Sequence, residues 1–441
     1  MGVPDVMTCA MSKRTAVRAG AMLLLALTFT LTGPGSVRAQ FTEFQLPPGQ
    51  NSGGSLQFGP GFTTIEGKNY LSFNIEPELA FGKLGLGLSI PLLYDLEEKQ
   101  IREIDWDSSR DYARIIRYVR WGVKRDPFYV RVGELSNTLL GHGFTVYYYN
   151  NNVDDNYPKR GMQLDIDFGK FGFETLLGNF GRRELYGGRG YVRPLQFLDK
   201  NIPIIKNFGI GATFVTDRDA FLAQPVNIIG LDLEQPILHV DMADLYLYFD
   251  YSSIGNWDTQ DHGSGIAYGI ATDVRGIAGL FQIGAKFEMR HLGEGFTAGL
   301  ISPLWDVKKT EIMAALPTAP KTNGWYGELV GTVIGRISLR GTYFQTGDSG
   351  LGDQFVLHAD ANKLVPGVAL QAFFVKQNIQ EGGDLFTLDE DAMTIAEVGY
   401  RPYPFMTVLM RYEWSYVWSN NASAYVTQKR IEPRVQFGFN W

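Results

Sequence analysis

Between Phe405 and Trp418 the chain alternates with a period of two. Met406, Val408, Met410, Tyr412, Trp414, Tyr416 and Trp418 form one set. Phe405, Thr407, Leu409, Arg411, Glu413, Ser415 and Val417 form the other. Successive side chains of a strand point to opposite faces. One face is therefore apolar and ends in aromatics, while the other carries a charge pair and hydroxyls. Aromatics gathered at one end of an apolar face match the girdle of a strand that meets a membrane interface.

The same alternation recurs along the chain. Leu71, Phe73, Ile75 and Leu79 oppose Ser72, Asn74, Glu76 and Glu78, with a bulge expected at Pro77. Met162, Leu164, Ile166 and Phe168 oppose Gln163, Asp165 and Asp167. Leu245, Leu247, Phe249 and Tyr251 oppose Tyr246, Tyr248 and Asp250. Phe281, Ile283, Ala285, Phe287 and Met289 oppose Gln282, Gly284, Lys286, Glu288 and Arg290. Ile337, Leu339 and Tyr343 oppose Ser338, Arg340 and Thr342. Short breaks fall at Gly82-Lys83, 124–127, Gly169-Lys170, 274–277, 334–336 and 401–404, with less clear ones near 199–206, 235–243 and 362–367. Longer breaks fall near 95–111, 136–160, 180–188, 254–264, 291–323, 347–353 and 378–392. Apolar-out, polar-in alternation with short turns at one end and long loops at the other predicts an all-β fold, a transmembrane antiparallel up-and-down β-barrel. About nine short turns with both termini periplasmic give about 20 strands, within an even range of about 18–20. The first strand and segment 226–245 are the least regular.

Composition sharpens this reading. The chain has 441 residues, 51 of them glycine, and no apolar run long enough for a membrane helix in its body. Residues 11–39 have the layout of an export signal. Lys13, Arg14 and Arg18 are followed by the short apolar stretch Ala21 to Thr32 and by Val37-Arg38-Ala39, a small-x-small cleavage site. The expected organisation is a signal peptide over 1–39, a short periplasmic lead over 40–55 and a barrel over 56–441. Cys9 leaves with the signal, so the mature chain has no disulfide. Removing 1–39 takes away four cations and one anion, moving the net charge from −7 to −10. An acidic exported chain without basic runs is not built for nucleic acid.

The chain ends Arg434-Val435-Gln436-Phe437-Gly438-Phe439-Asn440-Trp441. An alternating last strand with a terminal aromatic resembles that of bacterial outer-membrane β-barrel proteins of porin-like type. The resemblance implies residence in the Gram-negative outer membrane, contact with its lipid and lipopolysaccharide, and Phe439 and Trp441 as the signal read by the barrel-assembly machinery. Trp441 stands where that class more often has phenylalanine. The lead is too short for the plug domain of a TonB-dependent receptor.

Charges inside a lipid-surrounded wall must be hydrated or paired. The inward parity selects Glu76, Glu78, Asp165, Asp167, Lys286, Glu288, Arg340, Arg411 and Glu413 as lumen-lining candidates, and the densest cationic group adds Arg114, Arg120 and Arg131. Both signs occur, which suits a diffusion pore better than a single-sign filter. Arg117 breaks the parity of Arg114 and Arg120, so either a bulge switches its face or it lies near an interface. The loop Leu135 to Gly161 begins too apolar for a solvated loop and is expected in the mouth or lumen. Its Asn150, Asn152, Asp154, Asp155 and Asn156 are oxygen donors without the spacing of a calcium loop. Lys308 to Leu316 suggests one or two helical turns within the longest gap. His262 and Ser264 share a face, as a phospholipase pair would, but no companion acid or amide is in place. The expected function is passage of small hydrophilic solutes, by a monomer or homotrimer, with no cofactor, no metal and no catalysis. A non-conducting structural or ligand-binding barrel and a lipid-modifying hydrolase are the alternatives.

Overall fold

The computed structural model describes residues 52–440, apart from 66, 107–111, 113, 125, 155–157, 199–203, 241, 256–261, 278–280, 334–336, 347–351, 362–366 and 420–422. The proposed signal peptide 1–39, most of the lead and Trp441 lie outside the described residues. The first strand, Ser52–Ile65, begins within the segment expected as lead.

One antiparallel sheet of 22 strand segments closes on itself, because Ser52–Ile65 pairs with both Lys68–Phe81 and the last strand, Ala424–Asn440. Leu84–Leu88 and Ile90–Asp95 are two halves of one stave, since both lie against Lys68–Phe81 in one register. Gln100–Ile101 pairs only with Tyr94 and Asp95 and belongs to a loop. The barrel therefore has 20 staves, as the turns of the sequence indicate. Each is joined to the next in chain order, an up-and-down arrangement without crossovers.

Local chemistry explains the irregularities. Gly82 and Gly169 sit at tight turns with φ of 59° and 83°, where a Cβ would strain the backbone. Pro77 produces no bulge against the first strand, whose register runs unshifted through Leu56↔Pro77. Its missing N–H falls instead on the other side, where the ladder lapses between Glu78↔Gly87 and Ile75↔Ile90 and splits the third stave. The irregular segment near 226–245 contains the strand Val226–Val240, with a register shift between Pro236 and Leu238. A second shift, between Gly87 and Leu88 opposite Ile116–Trp121, reverses the parity at Arg117 and turns that side chain inward.

The outer surface is apolar. Leu247, Ile270 and Phe287 stand in register on three adjacent staves and are 46%, 42% and 45% exposed. Such a row would be unfavourable in water and is at home against lipid. On Met406–Ser419 the alternation is as the sequence implies: Val408, Met410 and Trp418 are exposed, whereas Thr407, Leu409, Arg411, Ser415 and Val417 are buried inside. Among the described residues no helix is long and apolar enough to cross a membrane.

Closure of the barrel rests on an uncommon seam. Register places Pro60 opposite Pro433, neither of which has an N–H, and the ladder is interrupted between Phe58↔Val435 and Phe62↔Ile431. Gly59 and Gly61 present no side chain, so groups of the flanking staves meet over the first strand. Ser72 donates to Glu432 at 3.1 Å, Asn74 donates to the same carboxylate, and Arg434 holds Glu76 at 2.8 and 3.1 Å. Side chains thus replace the missing backbone bonds.

Candidate functional site

Two long connections enter the lumen and build a common body there. The strand Phe128–Gly133 ends where Gly133 takes φ 123°, and the chain folds inward. Thr138 pairs with Tyr149 antiparallel, and Val146 forms a parallel bridge with Ile301 of the second connection. Tyr147 N–H donates to Ile301 O at 2.9 Å and Gly299 N–H to Phe144 O at 2.9 Å. Leu140, Phe144, Val146, Phe296, Leu300 and Ile301 are all buried in one cluster. The apolar half of the loop therefore serves as the core of a plug, which explains a composition unsuited to water. The amide-rich part serves its backbone: Asn151 Oδ1 accepts from Leu135 N–H at 2.8 Å and its Nδ2 donates to Gly178 O at 2.9 Å, while Asn150 Oδ1 accepts from Asn137 N–H at 2.8 Å. Asp155 and Asn156 lie outside the described residues, among which no group of three or more His, Cys, Asp and Glu residues could hold a metal.

Three consecutive phenols tie this body to the wall at two places and its two halves to each other. Tyr147 shares a hydrogen bond with Thr342, Tyr148 donates to Glu328 at 3.2 Å, and Tyr149 donates to Asp306 at 2.9 Å. Tyr147 also meets the Tyr148 and Tyr326 rings edge-on, at 4.7 and 5.8 Å between centroids. Burial raises the pKa of each phenol of the three, so they remain neutral donors at physiological pH.

The second connection carries the helix Trp305–Ala315, longer than the one or two turns expected and beginning earlier. It crosses the mouth and is tied at both sides. Trp305 Nε1 donates to Asp217 at 2.7 Å and Lys309 pairs with Asp217 and Asp219, at the end of and just beyond Gly209–Asp217. Lys308 reaches Asp391 at 2.6 Å and lies over the Tyr425 ring. Lys159, at the foot of the first loop, bridges Glu184 and Asp306 at 3.2 and 3.0 Å. Burial alone would lower the Lys159 pKa, but the charges of Asp306 and Glu184 raise it, so the bridge stays charged.

The inward candidates sort into pairs along the wall. Glu76 lies with Arg434 at the seam, and Glu78 pairs with Arg117. Asp165 meets Lys124 at 2.8 Å, and Asp167 meets Arg193 at 2.9 Å beside the Gly169-Lys170 turn. Glu288 is completely buried between Lys286 and Arg290. Arg340 approaches Glu328 at 3.5 Å, and Arg411 joins Glu397 and Glu413 at 2.7 and 3.2 Å. Arg120 and Arg131 are register partners; Arg120 donates to Gly122 O at 2.9 Å, and Arg131 lies 4.2 Å over the Tyr118 ring. Arg114 precedes the strand, its carbonyl accepting from Arg160 at 2.8 Å. Phe439 is opposite Gly54 in the closing strand pair. Ser264 is turned to the outer face near the rim, because its neighbours Gly263 and Gly265 face Gly295 and Phe296 of the plug.

Sequence reasoning did not select Lys124, Glu174, Arg189, Asp232, Glu234, Glu328, Glu397 or Glu432 as lumen residues, and it noted His142 only as part of an apolar loop. Strand register is the signal that finds many of them: Lys286↔Glu328, Glu397↔Arg411 and Arg411↔Glu432 are directly opposite. The tip residue His142 places Nδ1 3.0 Å from Asp250 and Nε2 3.2 Å from Glu234. A crevice lies beside it, between Leu140, Thr145, Thr213, Asp232 and Tyr251.

No family model and no curated protein matches the chain. Solved structures do match. They include Pseudomonas aeruginosa OccK2 (OpdF) in complex with glucuronate, at 10% identity over 89% of this chain and 96% of that one, with a TM-score of 0.33. Acinetobacter baumannii OccAB2 matches at 10% identity over 88% and 98%, TM-score 0.33. Pseudomonas aeruginosa OccK5 (OpdH) matches at 11% identity over 89% and 98%, TM-score 0.33.

Proposed function

We propose that the chain is an outer-membrane channel for small hydrophilic solutes, exported through a signal peptide cleaved near Ala39 and closed part-way by its own loops. The observation that carries this reading is the inner wall. A barrel that only needed to fold could fill its interior with apolar side chains. Here the inner wall instead carries paired charges of both signs, among them Glu234 and Arg340, whose side chains are 36% and 30% exposed. Barrels of about 16–18 strands already leave an aqueous channel, so one of 20 has room for both a plug and a water-filled path. The chain acts without catalysis in this reading. Outer-membrane lipid, lipopolysaccharide and the barrel-assembly machinery are its expected partners, and a homotrimer is one assembly it admits.

The test is planar-bilayer recording and liposome swelling with the purified full chain. Stepwise ion conductance and swelling in small sugars or amino acids are the expected results. Absence of both would overturn the reading and favour a second one, a ligand-binding barrel without conductance, which the size of the plug supports. Unchanged lipid turnover in Ser264→Ala would remove a hydrolase.

A further inference from the structure

We infer that His142 is a proton-held latch that sets the width of the path beside the plug, closed at neutral pH and released in alkali. The inference deepens the channel reading and rests on it. Geometry supplies the argument. The two ring nitrogens of His142 face two different carboxylates, Asp250 at 3.0 and 3.1 Å and Glu234 at 3.2 Å. An ionised carboxylate only accepts hydrogen bonds, so both nitrogens must carry a proton for both contacts to hold. The ring lies 4.3 Å from the Tyr248 ring, and the backbone carbonyl of His142 accepts from Lys286. Gly141 N–H donates to Glu174 at 2.7 Å.

The latch is hinged. Gly141 and Gly143 flank the histidine with φ of 55° and 85°, a conformation natural to glycine and easily left by it. The plug core on either side, Leu140 and Phe144, can stay in place while the three residues between them, Gly141 to Gly143, turn. The crevice lined by Leu140, Thr145, Thr213, Asp232, Asp250 and Tyr251 adjoins the ring, so withdrawing the ring widens that crevice.

The charged groups around the ring come from five staves: Asp250 with Tyr248, Glu234 with Asp232, Lys286, Glu174, and Arg189, which is bound to Asp232 at 2.6 Å. Carboxylates outnumber cations among them. Burial of the imidazole lowers its pKa, but the charge of Asp250 and the hydrogen bonds to Asp250 and Glu234 outweigh burial and raise it to about 9. A raised histidine pKa gives a contact that is complete below the unfolded value near 6.5 and is lost as pH rises through the folded value. Loss of the proton leaves one nitrogen unable to donate, and one carboxylate contact fails.

The experiment pairs two readouts on the full chain. In planar bilayers, wild-type conductance should rise with a midpoint at about pH 9, while His142→Gln should be open and flat over the same range. In detergent or nanodiscs, the 13Cε1 resonance of His142, assigned by its loss in His142→Gln, should titrate at the same midpoint. A resonance that titrates near the ordinary value of about 6.5 overturns the latch even where current flows. So does a conductance rise that survives in His142→Gln. No current at any pH in either protein, with the resonance titrating near 9, would sink the channel reading while leaving the proton-held contact standing.

Discussion

Replacing Ile270 with arginine asks whether the row Leu247–Ile270–Phe287 faces hydrocarbon. Ile270 is the ninth of 16 residues in His262–Ile277, and 42% of it is exposed on the outside. At about 3.4 Å per residue and a tilt of about 45°, that stave spans roughly 38 Å of height, so Ile270 falls near the centre of a hydrocarbon band about 25 Å tall. Ile266 faces the same way, lies opposite His291 near the rim, and is about 10 Å higher by the same geometry. An arginine costs about 2–4 kcal/mol at the midplane and about 0–1 kcal/mol near the interface. The expected difference between Ile270→Arg and Ile266→Arg is therefore about 2–3 kcal/mol. Equilibrium unfolding by denaturant in lipid vesicles measures it, with Ile270→Leu as a control for packing. Equal costs at the two positions, or a larger cost at Ile266, would refute both the outward assignment and the depth scale on which it rests.

Two further predictions concern the buried ion pairs. Arg434→Met strands Glu76 and Glu432 inside the closing seam and should destabilise the barrel by about 3–5 kcal/mol, much of which Arg434→Met with Glu76→Leu should restore; a single variant unfolding at the wild-type denaturant concentration would mean the seam does not depend on its side chains. Lys309→Met leaves Asp217 and Asp219 facing an apolar chain, so the helix should detach on one side, and limited proteolysis should cut within 293–321 while the barrel stays intact. Equal resistance to protease in wild type and variant would count against the helix being tied by that lysine.

How far the sequence could be read depends on what each feature requires. Period-two alternation is imposed by lipid on one face and polar surroundings on the other, so it survives in nearly every stave and yields both the barrel and its strand number. The same alternation picks out inward charges only as single residues, such as Glu288 and Arg411, both buried. Their partners were not legible, because Arg411↔Glu397 and Lys286↔Glu328 are matched by register, and register depends on turns whose lengths parity does not fix. Arg117 shows the limit within one strand: alternation left its face open, and only the shift at Gly87/Leu88 decides that it turns inward to Glu78. The plug was legible as an unusual composition, since the stretch from Leu139 to Tyr149 would not remain in water. Its partner in the second connection was not, because Val146 and Ile301 are 155 positions apart in the sequence and nothing local to either marks the other. His142 was the least legible. Its meaning comes from two carboxylates on different staves, about 90 and 110 residues away, and a lone histidine between glycines reads the same whether or not they are there.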